Sequence, residues 1–529
     1  MKRHSRTMWL SAGITLAVFG LAVALLAIPG PKPTNDQALA EQAQSAVARA
    51  WPLFGGTASR NMVNLFEKNP PDDWAIEKKD LKGKITQPAK NIKWIQSLGS
   101  KAYGGPIIAG GKIFIGTNND APRNPKIKGD KGIIMCFRES DGQFLWQAVH
   151  DKLPSGQVQD WPKEGICSAP VVEGNRLYYV SNRCEVVCAD TEGKGTEANI
   201  LWRLDMIKDL NVFPHNLAAC SPVIVGDLLF VVTANGVDEG HINIPSPGAP
   251  SFLALNKKDG MVVWKDSSPG KFIMHGQWSN PVYAEAGGQA QIIFPGGDGY
   301  LHSFDPASGK PLWKFDGNPK QYKYELGGRI SKSDYIATPV VVGDKLYVGV
   351  GQDPEHYEGV GHFWCVDITK KGDVSPELVV DAKTDPPKTM KNPNSAAVWH
   401  FGGAYSKEEA AKVGRDYPFS RTMSTVAVHD GLLYVADLPG FFYCFDAANG
   451  KLLWQHDLKA GVWGSPYWVD GKVYIGTEDG DVWIFQHGRE KKEPKRIDIG
   501  RTIHSTPVVM NGVLYVMTES HLFAIAPGK

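Results

Sequence analysis

Polar side chains that bind metal ions or move protons are concentrated in four stretches of this 529-residue chain. Asp238 and His241 lie in the first stretch, and His275 and Trp278 lie in the second. Carboxylate and amide oxygens suit Ca²⁺, a carboxylate beside an imidazole suits zinc or general acid–base chemistry, and an indole stacks on planar rings. The other candidates are Gln352, Asp353, Glu355 and His356 in the third stretch, and Asn394, Trp399 and His400 in the fourth.

In the third stretch, Asp353, Glu355 and His356 are the candidate metal ligands, and Asp353 or Glu355 is the candidate base of an enzyme. The same residue types also have a structural interpretation. Surface carboxylates are commonly only solvated, histidines often serve as hydrogen-bond partners, and the indoles of Trp278 and Trp399 would pack inside the fold. Both interpretations stay open at the level of the sequence.

Charge and motif content exclude several functional classes. The chain has 57 Lys and Arg against 56 Asp and Glu, a net charge of +1, whereas nucleic-acid binding needs a basic excess on one face. There is no CxxCH motif for covalent haem and no pair of CxxC clusters for a structural zinc ion. No GxSxG, HExxH, P-loop or glycine-rich dinucleotide motif occurs in a supporting context.

The elements that must position the candidate residues are repeated hairpins. Two short apolar runs around a glycine-centred turn recur, as in residues 221–232, 337–348 and 505–516. A second hairpin that ends in a tryptophan follows most copies, and two hairpins per unit of roughly 40–60 residues are typical of propeller blades. The sequence therefore predicts an all-β, eight-bladed β-propeller of four-stranded blades. The first hairpins begin near Gly105, Ala169, Ser221, Asn280, Thr338, Thr425, Ser465 and Thr506.

The fourth strand of the last blade is missing at the C-terminal end of the chain. The eighth unit stops at residues 524–526, but residues 91–95 (NIKWI) match residues 199–203 (NILWR), a fourth strand elsewhere. We expect this N-terminal strand to close the last blade, because closure hides the open sheet edges. In the fifth unit, residues 377–380 (ELVV) take the place of the fourth strand.

The repeated phrases resemble the PQQ-type (pyrroloquinoline quinone) propeller repeat, which quinoprotein dehydrogenases share with the BamB scaffold of outer-membrane assembly. The resemblance covers about residues 91–526, and residues 51–56 (WPLFGG) resemble the entry segment of such proteins. It implies either a scaffold or an oxidoreductase that uses PQQ and Ca²⁺. Two departures stand against carrying either role over directly. The dehydrogenases share an adjacent Cys-Cys pair that this chain lacks, and BamB-like proteins are normally lipid-anchored, whereas the first cysteine here is Cys136.

Loop lengths distinguish the two faces of the predicted propeller. Turns between the first and second strands of a blade are short, as are many between the third and fourth. The long connections predicted for the opposite face, the long-loop face, contain three of the four candidate stretches, and the second stretch lies on the same face at the entry of the fourth blade. Long loops on a rigid scaffold commonly carry binding residues. The long connections are the second-to-third-strand loops 118–131, 234–250 and 351–360, and the crossings between blades at 314–336 and 381–423.

The N-terminus predicts an export signal. A basic start precedes an uncharged run from Thr7 to Ile28, long enough to span a bilayer. We divide the chain into a signal-anchor or transmembrane helix (1–28), a flexible linker (29–50), an entry segment that packs on the propeller (51–90) and the propeller (91–529). Whether the helix is an uncleaved membrane anchor or a cleaved signal stays open. Either way, the propeller is expected outside the cytoplasm, in the periplasm or cell envelope.

The cysteines have two interpretations. Four of the seven fall at one repeat position, where other blades have alanine, serine or isoleucine, which predicts a small buried residue on a third strand. Because an exported chain is able to form disulfides, a bridge between Cys167 and Cys184 is an open alternative for two others. The four at the repeat position are Cys136, Cys188, Cys365 and Cys444.

Three functions are compatible with these patterns. The first is a monomeric binding or scaffold protein that holds an envelope protein, a peptide or a saccharide on the long-loop face. The second is a quinoprotein oxidoreductase that oxidises an alcohol or sugar with PQQ and Ca²⁺. The third is a metal-assisted hydrolase built from the same loops. A fold alone does not select among them.

Overall fold

Antiparallel β-sheet accounts for almost all of the regular structure. The computed structural model describes residues 50–327, 331–352 and 359–527, and the chain from Ala48 onward forms one compact unit. None of the helices in these ranges has the length and apolar character needed to cross a membrane. The predicted helix at 1–28 and nearly all of the predicted linker lie outside the described residues. The helices are α-helical at Met206–Leu210 and Lys407–Val413 and 3₁₀ at Gly156–Val158 and Gly270–Phe272.

The strands follow one another as four-stranded antiparallel meanders, here called units and numbered along the chain. Four short strands precede them: β1 (Val63–Asn64), β2 (Lys78–Lys79), β3 (Ile85–Gln87) and β4 (Ile92–Ser97). Unit 1 contains β5 (Ile107–Ala109), β6 (Lys112–Asn118), β7 (Lys131–Arg138) and β8 (Phe144–Asp151). Unit 2 contains β9 (Val171–Glu173), β10 (Arg176–Val180), β11 (Glu185–Lys194) and β12 (Glu197–Asp205). Unit 3 contains β13 (Val223–Val225), β14 (Leu228–Val232), β15 (Phe252–Asn256) and β16 (Val262–Asp266). Unit 4 contains β17 (Val282–Ala286), β18 (Gln289–Pro295), β19 (Tyr300–Phe304) and β20 (Pro311–Asp316).

The later units follow the same plan with one interruption. Unit 5 contains β21 (Val340–Val342), β22 (Lys345–Val350) and β23 (His362–Asp367), then the short strands β24 (Gly372–Asp373), β25 (Glu377–Asp381) and β26 (Lys388–Lys391), then β27 (Ala397–Gly402). Unit 6 contains β28 (Ala427–His429), β29 (Leu432–Ala436), β30 (Phe441–Asp446) and β31 (Leu452–Asp457). Unit 7 contains β32 (Tyr467–Val469), β33 (Lys472–Gly476), β34 (Asp481–Gln486) and β35 (Lys495–Asp498). Unit 8 contains β36 (Val508–Met510), β37 (Val513–Met517) and β38 (His521–Ile525).

The recurring tryptophan docks one unit onto the next. On the fourth strands other than β35 of unit 7, it lies opposite a small residue of the third strand, as Trp264 lies opposite Ala254. Its ring also packs on the glycine turn of the following unit: a Cβ at Gly309 would lie 2.7 Å from the Trp264 ring. The positive φ of this glycine, 69°, is a second reason for its identity. The same contact joins Trp202 to Gly260.

The N-terminal strand closes unit 8, as the sequence predicts. β4 pairs antiparallel with β38, and Trp94 lies opposite Ala524 in the register that the other tryptophans adopt. The Trp94 ring lies against Gly142 of unit 1, 2.7 Å from the place a Cβ would occupy. The two ends of the folded chain are therefore joined both by a strand pair and by the repeated tryptophan contact.

Hydrogen bonds also connect successive units just before their first strands. The Ala169 N–H donates to Ser221 Oγ at 2.9 Å, and the Ser221 N–H donates to Asn280 Oδ1 at 2.5 Å. Asn280 Nδ2 donates in turn to Thr338 Oγ1 at 2.7 Å. First strands of neighbouring units, such as β13 and β17 or β28 and β32, pack side by side. The first strands therefore surround a common axis, and these bonds connect them at one end.

The segment before unit 1 crosses the inner strands. β1 pairs in parallel with β32, and Trp51 exchanges backbone hydrogen bonds with Ile108 on β5. The fully buried Arg60 donates to the carbonyl oxygens of Ser221 at 2.8 Å and Pro281 at 3.0 Å. Burial lowers the pKa of Arg60 to about 10, which still leaves it charged at neutral pH. This buried cation therefore ties the segment to the residues that precede the first strands of units 3 and 4.

Two expectations from the sequence are corrected by the structure. The fourth strand of unit 5 is β27, where Trp399 lies opposite Cys365, and residues 377–380 belong instead to a separate hairpin of β25 and β26. The insertion therefore lies between the third and fourth strands, not on the long-loop face. The Cys167–Cys184 bridge is also wrong, because both cysteines are free. The four cysteines predicted at the repeat position are buried on third strands, as expected.

Candidate metal centre and axial cavity

Three imidazoles from separate loops meet at one point. His215 precedes β13, His241 lies between β14 and β15, and His275 precedes β17. These connections emerge at the same edge, because successive strands run antiparallel. His275 Nε2 is 3.1 Å from His215 Nε2 and 3.2 Å from His241 Nε2, and one ring nitrogen from each histidine lies within 4.8 Å of the others. His215 and His275 are buried and His241 is half-buried. We call these three residues the histidine centre.

Backbone contacts hold the three loops together. The His215 N–H donates to Ala234 O at 3.1 Å, and the Val237 N–H donates to His275 O at 3.1 Å. Gly236 lies between these contacts and has no room for a side chain, since a Cβ there would be 2.5 Å from His215 Cβ and 2.6 Å from His275 O. The close approach of the loops therefore depends on this glycine.

The surroundings of His215 determine which of its nitrogens faces the centre. His215 Nδ1 is 2.9 Å from Val237 O, and because a carbonyl oxygen only accepts, Nδ1 carries the proton of that bond. In the neutral ring, Nε2 then presents its lone pair to the other two histidines. Metal-binding histidines characteristically donate their other N–H to such a carbonyl. The Trp278 Nε1–H donates to His215 O at 3.2 Å and supports the same loop.

The geometry fits a divalent transition-metal ion. Zinc–nitrogen bonds of about 2.0–2.1 Å at tetrahedral angles place two nitrogens roughly 3.3 Å apart. The rings of His215 and His241 lie edge-on to that of His275, at interplanar angles of 63° and 90°. Imidazole suits zinc, copper, nickel and iron, whereas Ca²⁺ takes six or more oxygens. Three protein ligands would leave a fourth position open for water or another donor.

Asp238, a predicted site residue, shapes the loop of the histidine centre. Its carboxylate accepts from the N–H groups of Ile242 at 2.8 Å and Asn243 at 3.2 Å, and from Asn243 Nδ2 at 2.9 Å. Burial opposes its charge, but these hydrogen bonds prevail and lower the pKa of Asp238. The His241 N–H donates to Asp238 O at 3.1 Å. Asp238 therefore positions His241.

The third candidate stretch is only partly described. Gln352 follows β22, the second strand of unit 5. The loops of the histidine centre leave unit 3 at the corresponding edge of its sheet. Asp353, Glu355 and His356 lie outside the described residues, so the metal role predicted for them stays a prediction.

The fourth stretch does not join the histidine centre. Trp399 packs between units like the other fourth-strand tryptophans, and Asn394 is exposed in the insertion before β27. His400 Nε2 is 2.9 Å from His362 Nδ1 and the two rings stack, a group here called the histidine pair. Burial lowers the pKa of His362 to about 3, with a further effect of His400, and lowers that of His400 to about 4.

His215 is the member of the centre that the sequence patterns did not single out. It has no carboxylate or second histidine near it in the chain, between Pro214 and Asn216. The repeat nevertheless contains a pattern that could have identified His215. His215 lies eight residues before the start of β13 and His275 lies seven before the start of β17. Aligning the crossings of neighbouring units would therefore have paired the two histidines.

A cavity of about 320 Å³ lies on the axis beside the histidine centre. Residues just before the first strands of all the units line it, and Trp278 belongs both to its wall and to the surroundings of His215 and His275. Among the described lining residues there is no lysine or arginine. The aromatic lining residues are Phe54, Tyr103, Trp161, Trp278 and Trp463, and the ionisable ones include Glu164 and His504. We call it the axial cavity.

The described lining does not fit PQQ with Ca²⁺. PQQ is a planar tricarboxylate, and the indoles of the axial cavity would stack on its rings. Its carboxylates would need cations, however, and the described lining has none and includes the carboxylate of Glu164. The one group of three potential metal ligands found among the described residues is made of imidazoles, not of the oxygens that Ca²⁺ takes. We therefore derive no chemistry from this cofactor.

Comparison with known proteins agrees with the repeat. Residues 130–377 and 389–493 match the family model described as outer membrane protein assembly factor BamB. The match spans more than half of the chain. The chain belongs to this family. It is 24% identical to the outer membrane protein assembly factor BamB of Burkholderia pseudomallei over 330 residues, 56% of this chain and 81% of that protein.

Other relatives carry different names. The chain is 22% identical to the tetrathionate hydrolase of Acidithiobacillus ferrooxidans over 355 residues, 60% of this chain and 64% of that protein. A solved structure of a europium-containing methanol dehydrogenase superposes with a TM-score of 0.56 at 13% identity, covering 92% of this chain and all of that chain. At such identity the likeness concerns the fold, a PQQ-like β-propeller. Family membership therefore leaves scaffold and enzyme functions both open.

Proposed function

We propose that this protein is an extracytoplasmic, eight-bladed propeller that holds a divalent transition-metal ion in the histidine centre. The ion serves a binding or scaffold function on the long-loop face. The observation that carries the proposal is the convergence of His215, His241 and His275 through their Nε2 atoms. Zinc is the ion for which three imidazoles and one open position are most typical.

Packing alone gives a weaker account of this convergence. A neutral histidine has one donor and one acceptor nitrogen, and His215 uses its donor on Val237 O. Its remaining lone pair is directed at His275 Nε2, which also lies 3.2 Å from His241 Nε2. A metal ion would accept a lone pair from each of the three rings at once. Desolvation of two buried imidazoles is then compensated by coordination.

The open coordination position of the metal ion indicates what kind of group a partner would supply. A donor atom from a bound envelope protein, peptide or saccharide would complete the coordination at a site that rigid strands support. One relative is named as an outer membrane protein assembly factor, which is consistent with an envelope partner.

Zinc titration tests the proposal directly. Calorimetry of the purified, metal-free protein with Zn²⁺ should show one site per chain at micromolar affinity or better, about −8 kcal/mol. A variant with His215, His241 and His275 all changed to Gln should lose this site. Gln keeps a polar side chain but removes the imidazole ligand.

The matched control is His362→Gln with His400→Gln, which removes two imidazoles from the histidine pair. It should bind Zn²⁺ like the wild type. No saturable zinc binding by the wild type, or equal loss in both variants, would overturn the proposal.

A hydrolytic role is the second candidate, and the open coordination position is the observation that favours it. Zinc held by three histidines lowers the pKa of a bound water to about 7 and makes it a nucleophile. A zinc-dependent cleavage of an activated ester such as p-nitrophenyl acetate, lost in the triple Gln variant, would support hydrolysis over scaffolding. The quinoprotein alternative has no such support, because the described lining of the axial cavity does not fit its cofactor.

A further inference from the structure

One wall of the axial cavity is an aromatic cluster. The ring of Tyr103 stacks on that of His504, with centroids 5.0 Å apart and planes within 8°. The indole of Trp463 is 5.0 Å from His504 and 5.9 Å from Tyr103. These residues precede the first strands of units 1, 7 and 8, so three units build the wall together. All three residues line the cavity.

Carboxylates surround this wall on its outer side. Glu478 Oε1 accepts from Trp463 Nε1 at 2.7 Å and lies 3.2 Å from His504 Nε2. The hydrogen bond with His504 lowers the pKa of Glu478, so the carboxylate is charged at neutral pH. Glu519 lies 3.4 Å from His504 Nδ1 and forms an ion pair with Lys101. The wall therefore has more negative than positive charge behind it.

Glu164 adds a carboxylate to the lining itself, next to Trp161 in the loop before unit 2. Two lysines lie near this part of the lining, and both are paired: Lys101 with Glu519 and Lys152 with Asp160. Burial raises the pKa of Tyr103, with Cys167 and Glu164 acting in the same direction, so the phenol stays neutral. The cavity therefore combines aromatic rings, among them a neutral phenol, with the carboxyl group of Glu164.

We propose that the axial cavity binds a small organic cation, a quaternary ammonium or a protonated amine on an apolar body. The faces of Tyr103, Trp161 and Trp463 would receive the cation, and Glu164 would balance its charge. Aromatic rings attract cations through their negative faces, most strongly where the site is desolvated. Carboxylates that accept from the indole N–H and the imidazole increase the electron density of these rings.

The same composition disfavours other ligands. An anion would meet Glu164 without a lysine or arginine in the described lining. A neutral ligand of the same shape would gain the apolar contacts but not the attraction to the rings and the carboxylate. The cavity of about 320 Å³ is large enough to enclose a compact ammonium compound. This inference does not depend on a metal ion in the histidine centre.

Choline and its uncharged carbon analogue 3,3-dimethylbutan-1-ol are the probes. They have the same shape, so the difference between them measures the charge. Calorimetry or tryptophan fluorescence of the full chain should show choline binding about tenfold tighter than the alcohol. Equal affinity for the two, or no binding of choline and of the larger benzyltrimethylammonium, would overturn the proposal.

Variants locate the site. Glu164→Gln is nearly isosteric and should lower the choline affinity severalfold while leaving the alcohol unchanged, and the exposed Glu408→Gln is its matched control. Trp463→Leu should lose most of the preference for choline, and Trp463→Phe, which keeps a ring, should retain part of it. The triple Gln variant of the histidine centre should still bind choline, which separates this proposal from the metal proposal. Unchanged choline binding in both Glu164→Gln and Trp463→Leu would also contradict the proposal.

Discussion

The histidine centre lies in loops of units 3 and 4 and the histidine pair lies on β23 and β27 of unit 5, and the nitrogens of the two groups are arranged differently. In the histidine centre, three Nε2 atoms face one another, and a backbone carbonyl fixes the tautomer of His215. In the histidine pair, Nδ1 of His362 meets Nε2 of His400, and the indole of Trp364 lies 4.1 Å from the His400 ring. One arrangement converges on a point, and the other is a stacked hydrogen-bonded contact.

This difference shows why histidine content alone predicts little. The pair forms one hydrogen bond between two stacked rings, and burial keeps both imidazoles neutral. In the centre, one ring nitrogen of each of three histidines lies within 4.8 Å of the others, close enough to share one metal ion. The pair brings only two ring nitrogens together. The predictions below test this contrast.

The largest expected effect is on zinc affinity when one imidazole is removed from each group. His241→Ala should weaken Zn²⁺ binding by about 100-fold or more, because loss of a ligand exceeds the 10–100-fold typical of losing a supporting contact. His400→Ala should leave the affinity unchanged. Calorimetric titration of the two variants measures both. A similar loss in each would remove the distinction between the centre and the pair.

Zinc itself should stabilise the fold. At a free concentration of 100 times Kd, a ligand that binds only the folded state adds about 2.7 kcal/mol to the free energy of unfolding. Zn²⁺ should therefore raise Tm in the wild type and in His400→Ala, and EDTA should reverse the rise. In His241→Ala the melting temperature should not respond to micromolar zinc. A zinc response that persists there would place the ion elsewhere.

Backbone crowding gives the next prediction. Gly236→Ala should weaken zinc binding and lower the free energy of unfolding by about 1–3 kcal/mol, because its Cβ would overlap His215 and the His275 carbonyl. Gly248→Ala is the matched control in the same loop, since nothing lies within 4 Å of the place its Cβ would occupy. Urea unfolding and zinc titration compare the two. Equal effects would show that loop flexibility, not the close approach, is responsible.

The smallest expected effect concerns pH and the histidine pair. The pKa of His362 is lowered to about 3 in the fold, against 6.5 ordinarily, so between these values the unfolded chain binds more protons. Stability is then present above pH 6.5 and is lost as the pH falls, by about 1–2 kcal/mol between pH 7 and 5 for this residue. His362→Gln should make the free energy of unfolding less dependent on pH in this range. This comparison is best made in the triple Gln variant of the histidine centre. An unchanged dependence of stability on pH there would contradict the buried, neutral state of His362.

The fold could be predicted from the sequence because the chain contains a repeat. Hairpin phrases and the small residue opposite the tryptophan specify local pairing, because strand alternation and turn chemistry act over a few residues. The N-terminal strand was predictable for the same reason: Trp94 and its neighbours match other fourth strands residue by residue. Unit 5 was misassigned because a long insertion separates β23 from β27, and the apolar residues 377–380 imitate a strand at the expected distance.

The candidate site was only partly predictable. His241, His275 and Trp278 were identified because polar and aromatic residues stand out in long loops, and Asp238 proved to support His241. Convergence with His215 was not visible, since it depends on the distance between two crossings that are 60 residues apart. The axial cavity likewise draws Tyr103, Glu164 and Trp463 from three units.

By itself, then, the sequence determined the all-β repeat, the closing strand and most of the long connections, because these features are encoded within each unit. Only the tertiary structure decided that three of the fourteen histidines share one point and that the axis is lined by aromatic rings and a carboxylate. Those arrangements depend on how the units are placed around the axis. That placement is set by the tryptophan–glycine contacts and inter-unit hydrogen bonds acting together, and no single segment of the chain contains it.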